Sequence, residues 1–269
     1  MAILTGTNNG ETLIGTELAD EIFGLGGNDV LVGAEGDDLI QGNDGNDNIR
    51  GQDGDDTLLG GNGEDTIWGG EGNDLVDGGA GDDLIGGGLG NDQLNGGDGD
   101  DTIWGGAGND QIDGGEDDDI IGGGTGSDFL SGGDGNDTIY GATGNDQIDG
   151  GGDADLIFGG AGNDTIFGGA GDDVIWGGAG DDALVGGAGD DTFGFTAGHG
   201  TDTISDFTVG DDVLDLSELG LSGELSDLRA DGTITTTAAG DTLIETGDGT
   251  SVTLTGVDSL TLTDESVLL

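Results

Sequence analysis

Apolar residues recur along most of this chain at a fixed interval of nine. The series begins Ile22, Leu31, Ile40, Ile49, Leu58, Ile67 and runs on to Leu184 and Phe193. Three residues centred on each apolar position suit a very short strand, with the apolar side chain inward and its neighbours outward. Two nine-residue units then make one flattened coil of 18 residues with a strand on each side. Stacked coils form two parallel sheets, rising about 4.8 Å per coil. Beyond Phe195 the beat stops, and alternating, Thr-rich stretches at 201–207, 213–216, 233–237, 242–245, 251–255 and 260–262 predict further strands. The predicted fold class is all-β: a right-handed parallel β-roll of about 10 coils, with a C-terminal β-rich capping segment. Its divisions are a degenerate N-terminal repeat or cap at 1–14, the roll at 15–194 and the C-terminal β cap at 195–269.

Polar positions keep the same phase. Two residues before each apolar position stands an aspartate: Asp20, Asp29, Asp38, Asp47, Asp56, Asp65, Asp74, Asp83, Asp92, Asp101, Asp110, Asp119, Asp128, Asp137, Asp146, Asp155, Asp164, Asp173, Asp182 and Asp191. The residue five before each is always Gly, and the residue two before is Gly except at Leu18, Asp117 and Asp153. The unit is therefore G-G-x-G-x-D-x-U-x, with U apolar. Its glycines suit loop positions with positive φ or close backbone approach. A worn copy precedes the array, with Glu11 and Leu13 in the Asp and apolar slots. Another follows it at Gly198-His199-Gly200-Thr201-Asp202-Thr203-Ile204, displaced by two residues. Repeats 18 apart lie on the same side of the roll, so Asp20, Asp38 and Asp56 share one column and Asp29, Asp47 and Asp65 share the other.

Composition sharpens this picture. The 269 residues include 68 Gly and 59 Asp or Glu, but only two basic residues, Arg50 and Arg229, and the formal charge is −57. Taken alone, such numbers describe a low-complexity, disordered polyanion. Disorder, however, does not require one apolar residue at a fixed phase. Two Arg cannot make the cationic patch of a nucleic-acid binder, nor hold an anionic membrane surface. The absence of Cys excludes disulfides and thiolate-bound zinc. No apolar run approaches the roughly 20 residues of a membrane span, so no membrane insertion is expected. Residues 1–6 have neither the basic region nor the apolar core of a conventional signal peptide.

One inward apolar side chain per nine Gly-rich residues is a thin core, and the aligned carboxylates add repulsion; without cations the array should not fold. Ca²⁺ is the fitting ion, because it takes six to eight oxygen ligands, carboxylates and backbone carbonyls among them, in flexible geometry. Mg²⁺ demands stricter octahedral geometry. Metals that prefer thiolate or imidazole find no ligand set, since His199 is the only His.

This nonapeptide array resembles the RTX, or hemolysin-type calcium-binding, family and its parallel β-roll. The resemblance implies ions lying between loops of successive coils, with the repeat Asp bridging neighbouring ions and loop carbonyls completing the shell. With 21 stacked loops, about 19 ions would bind and bring roughly +38, leaving the loaded protein near −19. The stretch from Gly198 to Phe207 resembles the segment that follows the repeats in RTX cargo proteins, serralysin-like proteases included. The final Asp264-Glu265-Ser266-Val267-Leu268-Leu269 resembles their uncleaved signal for type I export. The partners implied are calcium ions and the type I secretion machinery, and the location is secreted, extracellular or at the cell surface. Cytosolic calcium would be too scarce to fold the chain, and calcium outside would fold it. Physically, the segment can also cover the last coil's open sheet edges. No H-E-x-x-H or G-x-S-x-G motif is present. The resembling enzymes carry a separate catalytic domain upstream, whereas Met1 here lies almost at the first repeat. The expectation is a non-catalytic protein with a structural role.

A second period marks one outward face. Trp68, Trp104, Tyr140 and Trp176 are 36 apart, with Phe158 in the same row, Gly86 and Gly122 in coils between and Gly194 in the coil after. One reading lays each large ring flat over glycine of the adjoining coil, covering backbone. Another makes Trp68, Trp104, Tyr140, Phe158 and Trp176 a candidate interaction face, an aromatic ladder of about 9.6 Å spacing for self-association or for a glycan. Two alternative functions follow from it: an adhesive or carbohydrate-binding module, and a self-assembling surface-layer or filament protein.

Overall fold

The computed structural model describes residues 1–221, 223–247 and 249–269. They fall into two compact units, Met1–Ile139 and Tyr140–Leu269. The chain is an all-β parallel solenoid with about 12 coils of ~18 residues.

In the first unit, strands Ile3–Thr5, Glu21–Gly26, Leu39–Asp44, Thr57–Asn62, Leu75–Ala80, Gln93–Asp98, Gln111–Glu116 and Phe129–Asp134 pair in that order. All are parallel, and the register stacks Leu4, Ile22, Ile40, Leu58, Val76, Leu94, Ile112 and Leu130. The opposite sheet stacks Leu13, Leu31, Ile49, Ile67, Ile85, Ile103 and Ile121 in the same way. From Ile22 onward these side chains are buried, so the core is two facing aliphatic columns. Most strands span six residues, not the three predicted. The Gly-rich pair after each x-U-x stays in register with the next coil as well, as Gly61 with Gly79 and Asn62 with Ala80 show.

In the second unit, Ile148, Ile166, Leu184, Ile204 and Leu254 stack in one sheet. Ile157, Ile175, Phe193, Leu214 and Val267 stack in the other. Parallel rungs thus continue past residue 195. Strand Thr201–Ile204 pairs with Ala183–Ala188, and strand Val213–Asp215 pairs with Thr192–Gly194. The first sheet closes with antiparallel strands Thr250–Leu254, Thr242–Gly247 and Ile234–Thr236. The second closes on Val267–Leu268.

Two features of this end depart from the expected pattern. A helix, Leu225–Asp231, follows a reciprocal capping box between Glu224 and Asp227. It buries only Leu225 and Leu228, too short an apolar stripe for the sequence to display a helical period. Residues 260–262 form a turn rather than a strand. Arg229 accounts for the difference: its Nε donates to the Ser259 carbonyl at 2.9 Å and its Nη2 to the Leu262 carbonyl at 2.8 Å. Those carbonyls are held by a guanidinium instead of a sheet partner. No helix among the described residues is long and apolar enough to cross a membrane.

Candidate metal-binding columns

Each nine-residue unit delivers one aspartate inward, immediately before a strand. All twenty repeat Asp are buried, none more than 3% exposed. They stack as their 18-residue spacing predicts. In the first unit the amide N–H of Asp20 donates to Oδ1 of Asp38 at 2.7 Å, and Asp38, Asp56, Asp74 and Asp92 each repeat the bond one coil on. The column starting at Asp29 does the same through Asp47, Asp65, Asp83, Asp101 and Asp119. In the second unit Asp146, Asp164 and Asp182 form one such run and Asp155, Asp173 and Asp191 the other.

One carboxylate oxygen is thereby occupied. The other is not: Oδ2 is buried with no hydrogen-bond donor at Asp29, Asp38, Asp47, Asp56, Asp65, Asp74, Asp83, Asp92, Asp101, Asp110 and Asp119 in the first unit. The same holds at Asp164, Asp173 and Asp182 in the second. A buried carboxylate oxygen without a partner carries a desolvation penalty that a bound cation removes. Burial pushes the carboxyls up accordingly: Asp65, Asp92, Asp101, Asp110 and Asp173 to about 6. Asp56, Asp83 and Asp182 rise to about 7, and Asp119 to about 8. Charge on neighbouring Asp adds to the rise at Asp56, Asp83, Asp119 and Asp182.

The glycines make room for this arrangement. A Cβ on Gly24 would stand 2.5 Å from Oδ2 of Asp29 and 2.8 Å from the Gly42 carbonyl oxygen. Most of the glycines five residues before a repeat Asp are thus set by space: a carboxylate oxygen and a carbonyl from the next coil converge where a Cβ would stand. The glycine two before, such as Gly63 at φ +125°, is set by conformation as well. Asp117 and Asp153 occupy that slot at φ +78° and +67°, left-handed values that Asp tolerates better than most side chains. Among the described residues no three carboxylate or imidazole groups converge as a ready-made metal cluster. An ion here would combine a carboxylate with loop carbonyls. That donor set, all hard oxygen, fits Ca²⁺.

The columns run further than the nine-residue count. Asp202 accepts the Asp182 amide at 2.9 Å, and Asp212 accepts the Asp191 amide at 3.1 Å. The displaced repeat copy already marked Asp202, whereas the 21-residue spacing hid Asp212, although Gly210, Asp212 and Leu214 preserve the local G-x-D-x-U order. At these end rungs the chain itself serves the second oxygen. His199 Nδ1 lies 2.5 Å from Asp202 Oδ2, and the Thr208 amide donates to Asp212 Oδ2 at 2.7 Å. At the other end, Asp20 Oδ2 accepts the Thr16 amide and hydroxyl at 2.6 and 2.8 Å. Burial raises the Asp20 carboxyl, but hydrogen bonds from Ala2 and Thr16 and the N-terminal ammonium outweigh it, and its pKa is lowered.

In each unit the outward aromatic side chains pack on neighbouring coils. Trp68 lies against Gly86, Trp104 against Gly122 and Trp176 against Gly194, each where a Cβ would collide with the ring. Tyr140 stacks on Phe158, with centroids 5.2 Å apart and planes within 4°. The rings cover backbone yet stay open outward, Trp68 at 42% and Trp104 at 43% exposed.

Among solved structures, similarity extends to a subunit of the mannuronan C5-epimerase of Azotobacter vinelandii, with 26% identity, 53% of this chain and 79% of that chain covered, and a TM-score of 0.38. A hyperactive, Ca²⁺-dependent, β-helical antifreeze protein from an Antarctic bacterium matches at 20% identity, covering 77% of this chain and 75% of its own, with a TM-score of 0.47. The extracellular lipase of Serratia marcescens matches at 22% identity, covering 77% of this chain and 45% of its own, with a TM-score of 0.30. No curated protein sequence matches. A family model for the RTX calcium-binding nonapeptide repeat matches residues 5–40, 32–67, 50–85, 59–94, 86–121, 122–157 and 158–193. These segments adjoin or overlap from residue 5 to residue 193, and they coincide with the stacked aspartate columns. The chain belongs to the RTX calcium-binding nonapeptide repeat family.

Proposed function

We propose that this protein is a secreted β-roll with a structural, non-catalytic role, folded by calcium outside the cell. The repeat carboxylates from Asp20 to Asp191 are its calcium ligands, with about 19 ions held between successive loops. One observation carries the reading: row upon row of buried Oδ2 atoms without a donor, most of them converging with a next-coil carbonyl oxygen on the space over one glycine. Calcium supplies positive charge and accepts these oxygens at once. In its absence the stacked carboxylates repel, and the chain stays extended enough for a type I exporter. Far-UV circular dichroism during a calcium titration tests this, with particle size followed in parallel. The expected result is little β-signal in excess chelator and a cooperative gain on adding calcium. A full β-signal in excess chelator at neutral pH would refute it.

A second reading is favoured by the exposed rings of Trp68 and Trp104 in the first unit and Tyr140 in the second. Trp68, Trp104, Tyr140, Phe158 and Trp176 would bind another roll or a glycan while calcium builds the scaffold. Replacing Trp68, Trp104 and Trp176 together by Ser should then abolish self-association or glycan-array binding and leave calcium-dependent folding intact. Binding and association equal to those of the wild type would sink that reading.

A further inference from the structure

One sheet of the first unit has a stretch free of charge, on a chain that carries −57. Its consecutive strands Leu84–Leu89, Thr102–Ala107 and Ile120–Thr125 contain no acidic or basic residue. The strands that alternate with them in the other sheet each hold at least one acid: Asp77, Asp98, and Asp113 with Glu116. On the charge-free stretch Trp68 and Trp104 stand in register two rungs apart, with Gly86 between and Gly122 beyond. A Cβ at Gly86 would meet Cζ3 and Cε3 of Trp68, and one at Gly122 would meet the same two atoms of Trp104. Each indole therefore reclines over the next rung instead of standing upright, and the two share one pose. Both stay open outward. Thr66 and Thr102 stand two residues before the rings and are half-buried. Among the described residues neither hydroxyl has a hydrogen-bond partner in the protein.

Such a surface suits sugar rings. A pyranose has a face of C–H groups that packs on an indole, and a rim of hydroxyls that exchanges hydrogen bonds with threonine and with the indole N–H. The rings repeat every two rungs, about 9.6 Å, roughly the span of two linked pyranoses in an extended chain. In a β-1,4-linked chain successive sugars are turned over, so every second one presents the same face, in step with the rings. Charge narrows the class. An acidic glycan carries carboxylates or sulfates along its length and needs cations in step with them. Arg50 adjoins Trp68 in register, but the rungs on either side of Trp104 offer no cation, and the acids elsewhere on the chain repel anions. A second roll fits less well. Four rungs by one six-residue strand present about 400 Å², half of the ~800 Å² per partner that a stable protein interface uses.

We infer that the Trp68–Trp104 face binds an uncharged, extended, β-1,4-linked glycan, with one indole under every second sugar and the Thr66 and Thr102 hydroxyls on its rim. The assignment rests on the reading above in which the aromatic residues bind another roll or a glycan, and it names the class of glycan.

Calcium-saturated, ¹⁵N-labelled protein titrated with cellohexaose and, separately, with hexagalacturonate tests this. The indole N–H signals of the three tryptophans are told apart by single Trp→Phe variants. Cellohexaose should shift the signals of Trp68 and Trp104, and the acidic hexamer should shift neither. In isothermal titration Trp104→Ala should weaken cellohexaose binding by about tenfold or more. Thr102→Val, which keeps the shape and removes the hydroxyl, should weaken it by about threefold or more. Unchanged affinity in Trp104→Ala, or signals of Trp68 and Trp104 that stay still at millimolar cellohexaose, overturns the assignment. Should Trp104→Ala fail to fold, the wild-type signals decide alone. A preference for hexagalacturonate overturns the uncharged class and leaves the glycan reading standing. Self-association that depends on Trp68 and Trp104, without sugar binding, overturns the assignment in favour of another roll, and absence of both defeats the underlying reading as well.

Discussion

Acid should do part of calcium's work. Nine buried carboxyls, those of Asp56, Asp65, Asp83, Asp92, Asp101, Asp110, Asp119, Asp173 and Asp182, titrate between about 6 and about 8 in the roll. In the unfolded chain they titrate near 3.8. Each pKa is raised on folding, so the neutral form belongs to the roll. The stabilisation is complete below about 3.8 and is lost as the pH climbs through 6 to 8. At pH 5 the nine groups are largely protonated in the roll and largely ionised in the open chain. On folding without calcium these nine groups alone should then take up about eight protons, against about one at pH 8. The perturbation is a change of pH from 8 to 5 in excess chelator. The assays are far-UV dichroism for β-structure, light scattering to separate folding from precipitation, and a pH-stat for the protons absorbed. The expected outcome is β-signal that grows as the pH falls, with net proton uptake. A signal that stays flat, or that grows toward alkaline pH, would show that desolvation of these carboxylates is not what opposes the metal-free fold.

Asp101→Asn keeps the Oδ1 acceptor for the Asp83 amide (2.7 Å) but puts an amide nitrogen where the unpartnered oxygen stood. Calcium stoichiometry by isothermal titration should fall, and the folding midpoint should move to higher calcium. Ile103→Ala removes a fully buried side chain between Ile85 and Ile121. About 2–5 kcal/mol should be lost in urea unfolding at saturating calcium, with little change in the number of ions bound. Gly105→Ala sets a methyl among the Asp110 carboxylate, the Gly123 carbonyl and the backbone. It should cost about 1–3 kcal/mol in the same assay and weaken calcium binding with it. Arg229→Met frees the Ser259 and Leu262 carbonyls, and hydrogen exchange should quicken in the C-terminal segment while the repeats of the first unit keep their protection.

The regular part of the roll was open to reading because each rung repeats its chemistry at a constant interval. A strand places its inward side chain by parity, and a coil of fixed length places rung on rung. Phase alone therefore put Ile22 above Ile40 and Asp20 above Asp38. It also marked the glycine positions, though not the reason for each. Only the packed chain shows that Gly24 is required by the Asp29 carboxylate and Gly63 by its positive φ.

Where periodicity ends, legibility ends too. The helix Leu225–Asp231, the turn at 260–262 and the closing rung Val267–Leu268 depend on contacts between segments unrelated in spacing, such as Arg229 with Leu262. Asp212 lay outside the count because an insertion moved it off the beat while leaving it in the column. His199 stood out in the sequence only as a solitary histidine, and the Thr246 hydroxyl that its Nε2 faces lies 47 residues away. The nine-residue phase determined the columns, their inward aspartates and the choice of an oxygen-loving cation. Tertiary structure decided how each column stops, because an end rung has no further coil above it and takes its donors from whichever distant part of the chain packs there.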